Sequence, residues 1–272
     1  MMDLVFWLPV ICGGLVSGAS SGMLGVFVVG TRIPFIAVCV AHAALAGAIF
    51  GRLAGLGEEA TFWSALAAAM AAALLLGALE ARLSHIDPNV LIGLLFSLSM
   101  GLAFLGLGLF AITGRPDGAV RQLLWGSLAF CRWRDVARMA IVAALLLAYA
   151  LVFHKELRAI LFSRRHAHAA GVLVGPVWTG FLMLTAAALT VNFQTVGGLM
   201  IYSLITNPAL AALQLARGFD RCLVLATLLG ALSSGVGFGI AAVCDLPTGA
   251  TIVLLSSLVV GFAALAGMRR TR

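Results

Sequence analysis

Long apolar runs separated by short polar stretches fill the chain from end to end. A helix needs about 20 apolar residues to cross the ~30 Å hydrocarbon layer of a bilayer. By that measure candidate spans cover residues 4–30, 33–56, 60–80, 89–113, 135–153, 172–191, 193–216, 221–244 and 247–268. They amount to eight or nine transmembrane helices, because 172–191 and 193–216 read either as joined or as broken. The pattern predicts an all-α, polytopic integral membrane helix bundle, one transmembrane domain over 1–272. The short connections leave no room for a nucleotide-binding fold, and GxxxxGK[ST] occurs nowhere in the sequence.

Charge sets the orientation. All ten acids (Asp3, Glu58, Glu59, Glu80, Asp87, Asp117, Asp135, Glu156, Asp220 and Asp245) fall between spans or at span edges. The most basic short connection, about 154–171, holds Lys155, Arg158, Arg164 and Arg165, and the chain ends Arg269, Arg270, Thr271, Arg272. Basic loops stay in the cytoplasm. Four spans separate these two segments, so both belong inside, and alternation puts Glu58 and Glu59 outside. The arginines of 115–138 conflict with simple alternation. A short amphipathic or half-inserted helix over 119–131 would change the parity, which leaves the side of the N-terminus open.

Composition agrees with the pattern. The chain is 62% hydrophobic and 10% charged, where soluble domains carry about a quarter charged residues. The formal net charge of +7 suits cytoplasmic loops and anionic headgroups rather than nucleic acid. The first apolar run is too long for a cleavable signal and continues into more membrane sequence. The five cysteines lack CxxC spacing, against a disulfide framework or a compact thiolate metal site.

A few polar residues inside the apolar runs carry the candidate chemistry. His42 is the only histidine within them, and Cys39, three residues before it, shares its helix face. An ionisable side chain at membrane depth marks a functional site by default, although an imidazole also serves by bonding a neighbouring helix and a lone thiol by packing. Asn192, Gln194, Thr195, Tyr202, Ser203, Thr206 and Asn207 crowd a second region, followed by Pro208. They read as a broken helix lining a cavity or as a loop between spans. Gly14, Gly18 and Gly22, and Gly93 with Gly101, are spaced for close helix contact.

Five short signatures in order resemble the permease subunits of bacterial ABC importers for zinc, manganese and iron, the ABC-3 family, over nearly the whole chain. The first is Gly22, Gly25, Phe27, Val28, Val29 and Arg32, then Ala41-His42-Ala43-Ala44-Leu45-Ala46-Gly47. The second is Leu124-Trp125-Gly126-Ser127. The third is Lys155-Glu156-Leu157 with Ala169-Ala170-Gly171-Val172. The fourth runs from Val196-Gly197 through Leu204 to Pro208-Ala209 and Ala212. The fifth is Asp245 to Ala250, with Pro247 and Gly249.

The resemblance implies a multi-pass permease in the bacterial plasma (inner) membrane. It implies a homodimer with a pathway at or near its axis, two copies of a separate ATPase, and an extracytoplasmic metal-binding protein that delivers cargo. ATP would be split on the partner, no cofactor would be held permanently, and a metal cation would be bound in passing, zinc or manganese ahead of iron. The segment 154–171 corresponds to the family's coupling segment, with Lys155, Glu156, Arg164, Arg165 and Gly171 the residues expected to act there. The expected pathway residues are His42, Cys39, Asn192, Gln194 and Asn207.

Two departures stand out. The family usually has an Asp four residues before the His, where this chain has Val38, and the usually acidic part of the coupling segment reads Ser163-Arg164-Arg165-His166-Ala167-His168. Without an acid at any span centre, a dication needs another source of compensation, because an uncompensated charge in low dielectric is costly. Cys39 could ionise beside a metal, the route could be wet and polar, or the cargo could be a metal complex. The competing reading is a self-sufficient secondary carrier or channel with His42 as its titrating group. A membrane enzyme finds no HExxH or intramembrane Asp pair to support it.

Overall fold

The computed structural model describes residues 4–83, 85–113 and 131–268. They form eleven helices and no strand: α1 Leu4–Gly30, α2 Ile36–Leu53, α3 Glu58–Arg82, α4 Pro88–Thr113, α5 Trp133–Val152, α6 His154–Phe162, α7 Arg164–Ala169, α8 Val174–Val196, α9 Gly198–Leu215, α10 Phe219–Cys244 and α11 Thr248–Met268. Eight are long and apolar enough to cross a membrane, and α9 contributes a shorter apolar stretch, Met200–Leu215. In a bilayer every backbone polar group must be bonded within the protein, which favours helices over open strands. The chain is a multi-pass membrane protein.

The helix ends follow local chemistry. Asp87 caps α4: its Oδ1 accepts from the Asn89 backbone N–H at 2.7 Å, and Pro88 takes the first helical position, where a missing N–H costs nothing. The runs 172–191 and 193–216 are broken, at Gly197, whose φ of 92° suits glycine. The polar cluster around Asn192 is therefore helical, not a loop. The short helix expected over 119–131 and the signature at 124–127 lie outside the described residues, apart from Cys131.

The chain divides into two compact units. The first comprises Met1–Pro34, Ser127–Ala144 and Thr195–Arg272, the second Phe35–Gly126 and Leu145–Gln194. In the first unit α1 packs on α9 and α10, and α11 on α9 and α10. A Cβ on Gly18 would strike the Gly230 carbonyl oxygen, and one on Gly22 the Ala226 carbonyl oxygen. Gly25 lies equally close to the carbonyl oxygen of Ile205. Small residues supply this contact where lipid gives no hydrophobic push.

In the second unit α2 lies against α3 and α4. Ser64 of α3 donates its hydroxyl to the Gly47 carbonyl of α2 at 3.0 Å, and an added Cβ on Gly47 would meet Ala68 at 2.6 Å. Tyr149 of α5 donates to the Val177 carbonyl of α8 at 2.8 Å. The expectation for Gly93 and Gly101 is corrected: a Cβ at either meets nothing within 4 Å. Their spacing puts them near one face of α4, but among the described residues no helix approaches that face closely.

Candidate functional site

Helix α2 is buried on nearly every side, and Phe35 with Val38 and His42 marks a stripe that stays accessible or half-accessible. The spacing of three and four residues puts all three on one face. His42 Nδ1 lies 2.8 Å from the Val38 carbonyl oxygen. A carbonyl only accepts, so Nδ1 carries the hydrogen, and Nε2 is the ring nitrogen through which a metal would be held. The imidazole stands edge-on to Phe96 of α4, with ring centres 5.1 Å apart.

The expected pairing of thiol and imidazole divides by exposure. Cys39 is 1% exposed, whereas His42 is half-buried. Among the described residues no three His, Cys, Asp or Glu side chains gather in a way that could hold a metal ion. Val38 holds the position one turn before His42 on the accessible stripe, so a carboxylate there would stand beside the imidazole.

The other pathway candidates are distributed between the units. Asn192, near the end of α8 in the second unit, is 2% exposed. The Gln194 side chain lies outside the described residues. Asn207, on α9 in the first unit, builds a polar cluster with α11. Its Nδ2 donates to Ser203 Oγ at 2.9 Å, Ser256 Oγ at 2.9 Å and Ser257 Oγ at 3.1 Å. Ser203 and Ser256 also bond each other at 2.8 Å. Ser256 is buried and Ser257 exposed, so the cluster runs from the interior of its unit to an accessible surface. Pro208 follows inside α9, which continues through it to Leu215.

The segment 154–171 folds as two short helices. Leu157 and Ile160 bury the apolar side of α6, while Lys155 and Arg158 are exposed and Glu156 is half-buried. Ser163 separates the helices and caps α7, its hydroxyl accepting from the His166 backbone N–H. Gly171 ends the segment in a turn at φ 84°. Arg164 and Arg165 begin α7, the helix end that disfavours positive charge. Arg165 is exposed, but Arg164 turns inward. Its Nη1 donates to Glu80 Oε2 at 2.8 Å, and its guanidinium lies 4.6 Å over the ring of Trp178.

Glu80 is the residue that sequence reasoning missed. In the sequence it is a span-edge acid, yet its side chain is only 5% exposed. The same Oε2 also accepts from Trp178 Nε1 at 2.9 Å. Glu80 lies in the last turn of α3, where a negative charge opposes the helix dipole as the arginine does at α7. Each charge sits at the wrong end of its own helix and is neutralised by the other. The clasp puts the end of α3 on the same membrane face as 154–171. Alternation through α3 and α2 then carries Glu58 and Glu59 to the opposite face and returns the Arg32 turn to this one.

Two signature residues end helices in the left-handed region, Arg32 at φ 61° and Asp245 at φ 51°. After each, the next residue's N–H reaches back five positions, Ile33 to the Val28 carbonyl at 3.1 Å and Leu246 to the Ala241 carbonyl at 3.0 Å. This is the Schellman stop, usually built on glycine. The Pro247 carbonyl then accepts from Thr251 in the first turn of α11, and a Cβ on Gly249 would crowd Met200 at 3.2 Å.

The chain resembles known membrane transport proteins along most of its length. It is 28% identical over 250 residues to the manganese transport system membrane protein MntC of Listeria innocua, covering 91% of this chain and 86% of the relative. It is 26% identical over 199 residues to the chelated iron transport system membrane protein YfeC of Yersinia pestis, covering 73% and 64%. The fold matches PsaBC from Streptococcus pneumoniae, solved in complex with a Fab, at a TM-score of 0.79 and 22% identity, over 95% of this chain and 90% of that one. The model of the ABC 3 transport family matches residues 3–267, and the chain belongs to that family.

Proposed function

We propose that this chain is the permease subunit of a binding-protein-dependent importer that brings manganese or iron across the bacterial plasma membrane as a homodimer. A separate cytoplasmic ATPase drives it, and an extracytoplasmic binding protein delivers the cargo. The observation that carries the proposal is the family match across 3–267, with relatives named for manganese and chelated iron transport. Zinc, expected from the sequence resemblance, gains no support from those names.

The residues take roles accordingly. His42 offers Nε2 to the passing metal from the accessible stripe of α2. Val38 leaves that ligand without a neighbouring carboxylate, so the cargo keeps most of its own water or chelating ligands, and neutral polar groups such as Asn207 serve it in place of acids. The exposed Lys155, Arg158 and Arg165, with Phe162 84% exposed beside them, form the surface offered to the ATPase. An aromatic anchor ringed by charge suits a docking contact.

The test is reconstitution in liposomes with the ATPase and binding protein, following uptake of manganese and of iron with and without ATP. Uptake that requires both partners and ATP is expected. Uptake by the permease alone would establish a self-sufficient carrier instead.

A further inference from the structure

We propose that Glu80 is the positioning residue that joins ATPase docking to movement of the transport helices, by clasping Arg164 and Trp178. This rests on the reading of 154–171 as the ATPase-docking segment. Three elements meet at one carboxylate oxygen. Arg164 opens α7, Glu80 closes α3, and Trp178 lies in the first turns of α8, and both donors reach Glu80 Oε2. Trp178 is itself 4% exposed and stacked on Phe181 at 5.5 Å, so the clasp is anchored in packed structure rather than at a free surface.

The charges do not serve their own helices. An acid at the end of α3 and an arginine at the start of α7 each oppose the local dipole. Arg165 has the same unfavourable start of α7 but remains exposed, so only Arg164 is committed inward. The pairing is also lopsided. Oε2 takes both donors, while Oε1 is buried with no hydrogen-bond partner among the described residues. One loaded oxygen and one bare one let the donors exchange when α7 shifts.

The second unit supplies the remainder of the link. From Glu80, α3 runs about 24 Å at 1.5 Å per residue back to Ser64, whose hydroxyl holds the Gly47 carbonyl of α2. Gly47 stands five residues beyond His42 on the same helix. A push on α7 at Arg164 is thus delivered along the rigid rod of α3 to the helix that carries the imidazole. Trp178 gives the same push a second output along α8, which carries Asn192 and ends at Val196.

The test compares wild type with Glu80→Gln, which keeps shape and removes charge, and Trp178→Phe, which keeps a ring and removes the N–H donor. Each permease is reconstituted with its ATPase and with binding protein loaded with Mn(II), and Mn(II) taken up per ATP hydrolysed is measured alongside melting temperature and ATPase co-purification. In both variants assembly and hydrolysis persist while the uptake-to-hydrolysis ratio falls about fivefold or more, a coupling loss of the size seen for residues remote from either ligand. A wild-type ratio in both folded variants would overturn the clasp as a coupling link. Loss of ATPase association in both would overturn it too, by making the clasp part of docking. Wild type that takes up Mn(II) without ATPase would instead overturn the function on which the inference rests.

Discussion

The Nδ1 atom of His42 is held 2.8 Å from the backbone oxygen of Val38, one turn earlier on α2. The bond spends one ring nitrogen on the helix and leaves Nε2 as the nitrogen not committed to the backbone. The side chain of Val38 is on that same stripe, so valine leaves the imidazole without an acidic neighbour. Val38→Asp is expected to lower the KM for Mn(II) uptake about tenfold, equivalent to about 1.4 kcal/mol, because it adds a formal charge beside the imidazole. His42→Ala is expected to depress uptake by a similar factor while leaving the melting temperature unchanged. Uptake competition among manganese, iron and zinc in both variants checks this. An unaltered metal preference in Val38→Asp would show that the stripe faces something other than the cargo.

Glycine spacing and glycine contact part company in this bundle. Gly18 and Gly22 meet backbone oxygens of α10, while Gly93 and Gly101 meet nothing within 4 Å. Gly18→Ala and Gly22→Ala must therefore spread α1 from α10. Overpacking of this kind costs about 1–3 kcal/mol, which is expected as a lower melting temperature in detergent. Gly93→Ala and Gly101→Ala should hold or raise it, since alanine improves helix propensity by up to about 1 kcal/mol. Melting curves of the four purified variants give the comparison.

The spans were legible because a bilayer writes its thickness into the chain. Runs of about 20 apolar residues need no knowledge of partners, and eight helices followed. His42 was legible for the same reason, as a polar exception in an apolar run. Its direction was not, because a helical face has no meaning until α3 and α4 cover the others. Glu80 stayed hidden because its partners are 84 and 98 positions away, and a charge at a run's edge looks the same in sequence whether water or an arginine meets it. The Asn207 cluster was half legible. Asn207 and Ser203 are one turn apart on α9, but Ser256 and Ser257 arrive from α11.

Asp245 is exposed and left-handed at the end of α10. A glycine would hold the same turn without a Cβ penalty, and replacement at compatible positive φ is worth up to about 1 kcal/mol. Asp245→Gly is expected to raise the melting temperature by a few degrees. Arg32→Gly should raise it as well, since Arg32 holds the same left-handed region at φ 61°. ATP-dependent Mn(II) uptake then separates backbone from side chain. Loss of uptake in a more stable Asp245→Gly assigns the carboxylate a working role, whereas full uptake reduces the aspartate to a helix stop.

Asn207 offers the sharpest division between packing and passage. Replacing it with leucine removes the donor shared among Ser203, Ser256 and Ser257, although the bond between Ser203 and Ser256 can persist. Interhelical hydrogen bonds in membranes average about 0.6 kcal/mol and reach about 1.7 kcal/mol. A small drop in melting temperature is therefore expected for Asn207→Leu, from looser contact between α9 and α11. If the cluster also passes the cargo, Mn(II) should protect wild type against heating but not the variant, and uptake should fall further than the stability change accounts for. Equal protection by Mn(II) in both proteins would confine Asn207 to holding α9 against α11, because a lost ligand cannot leave the metal's effect intact.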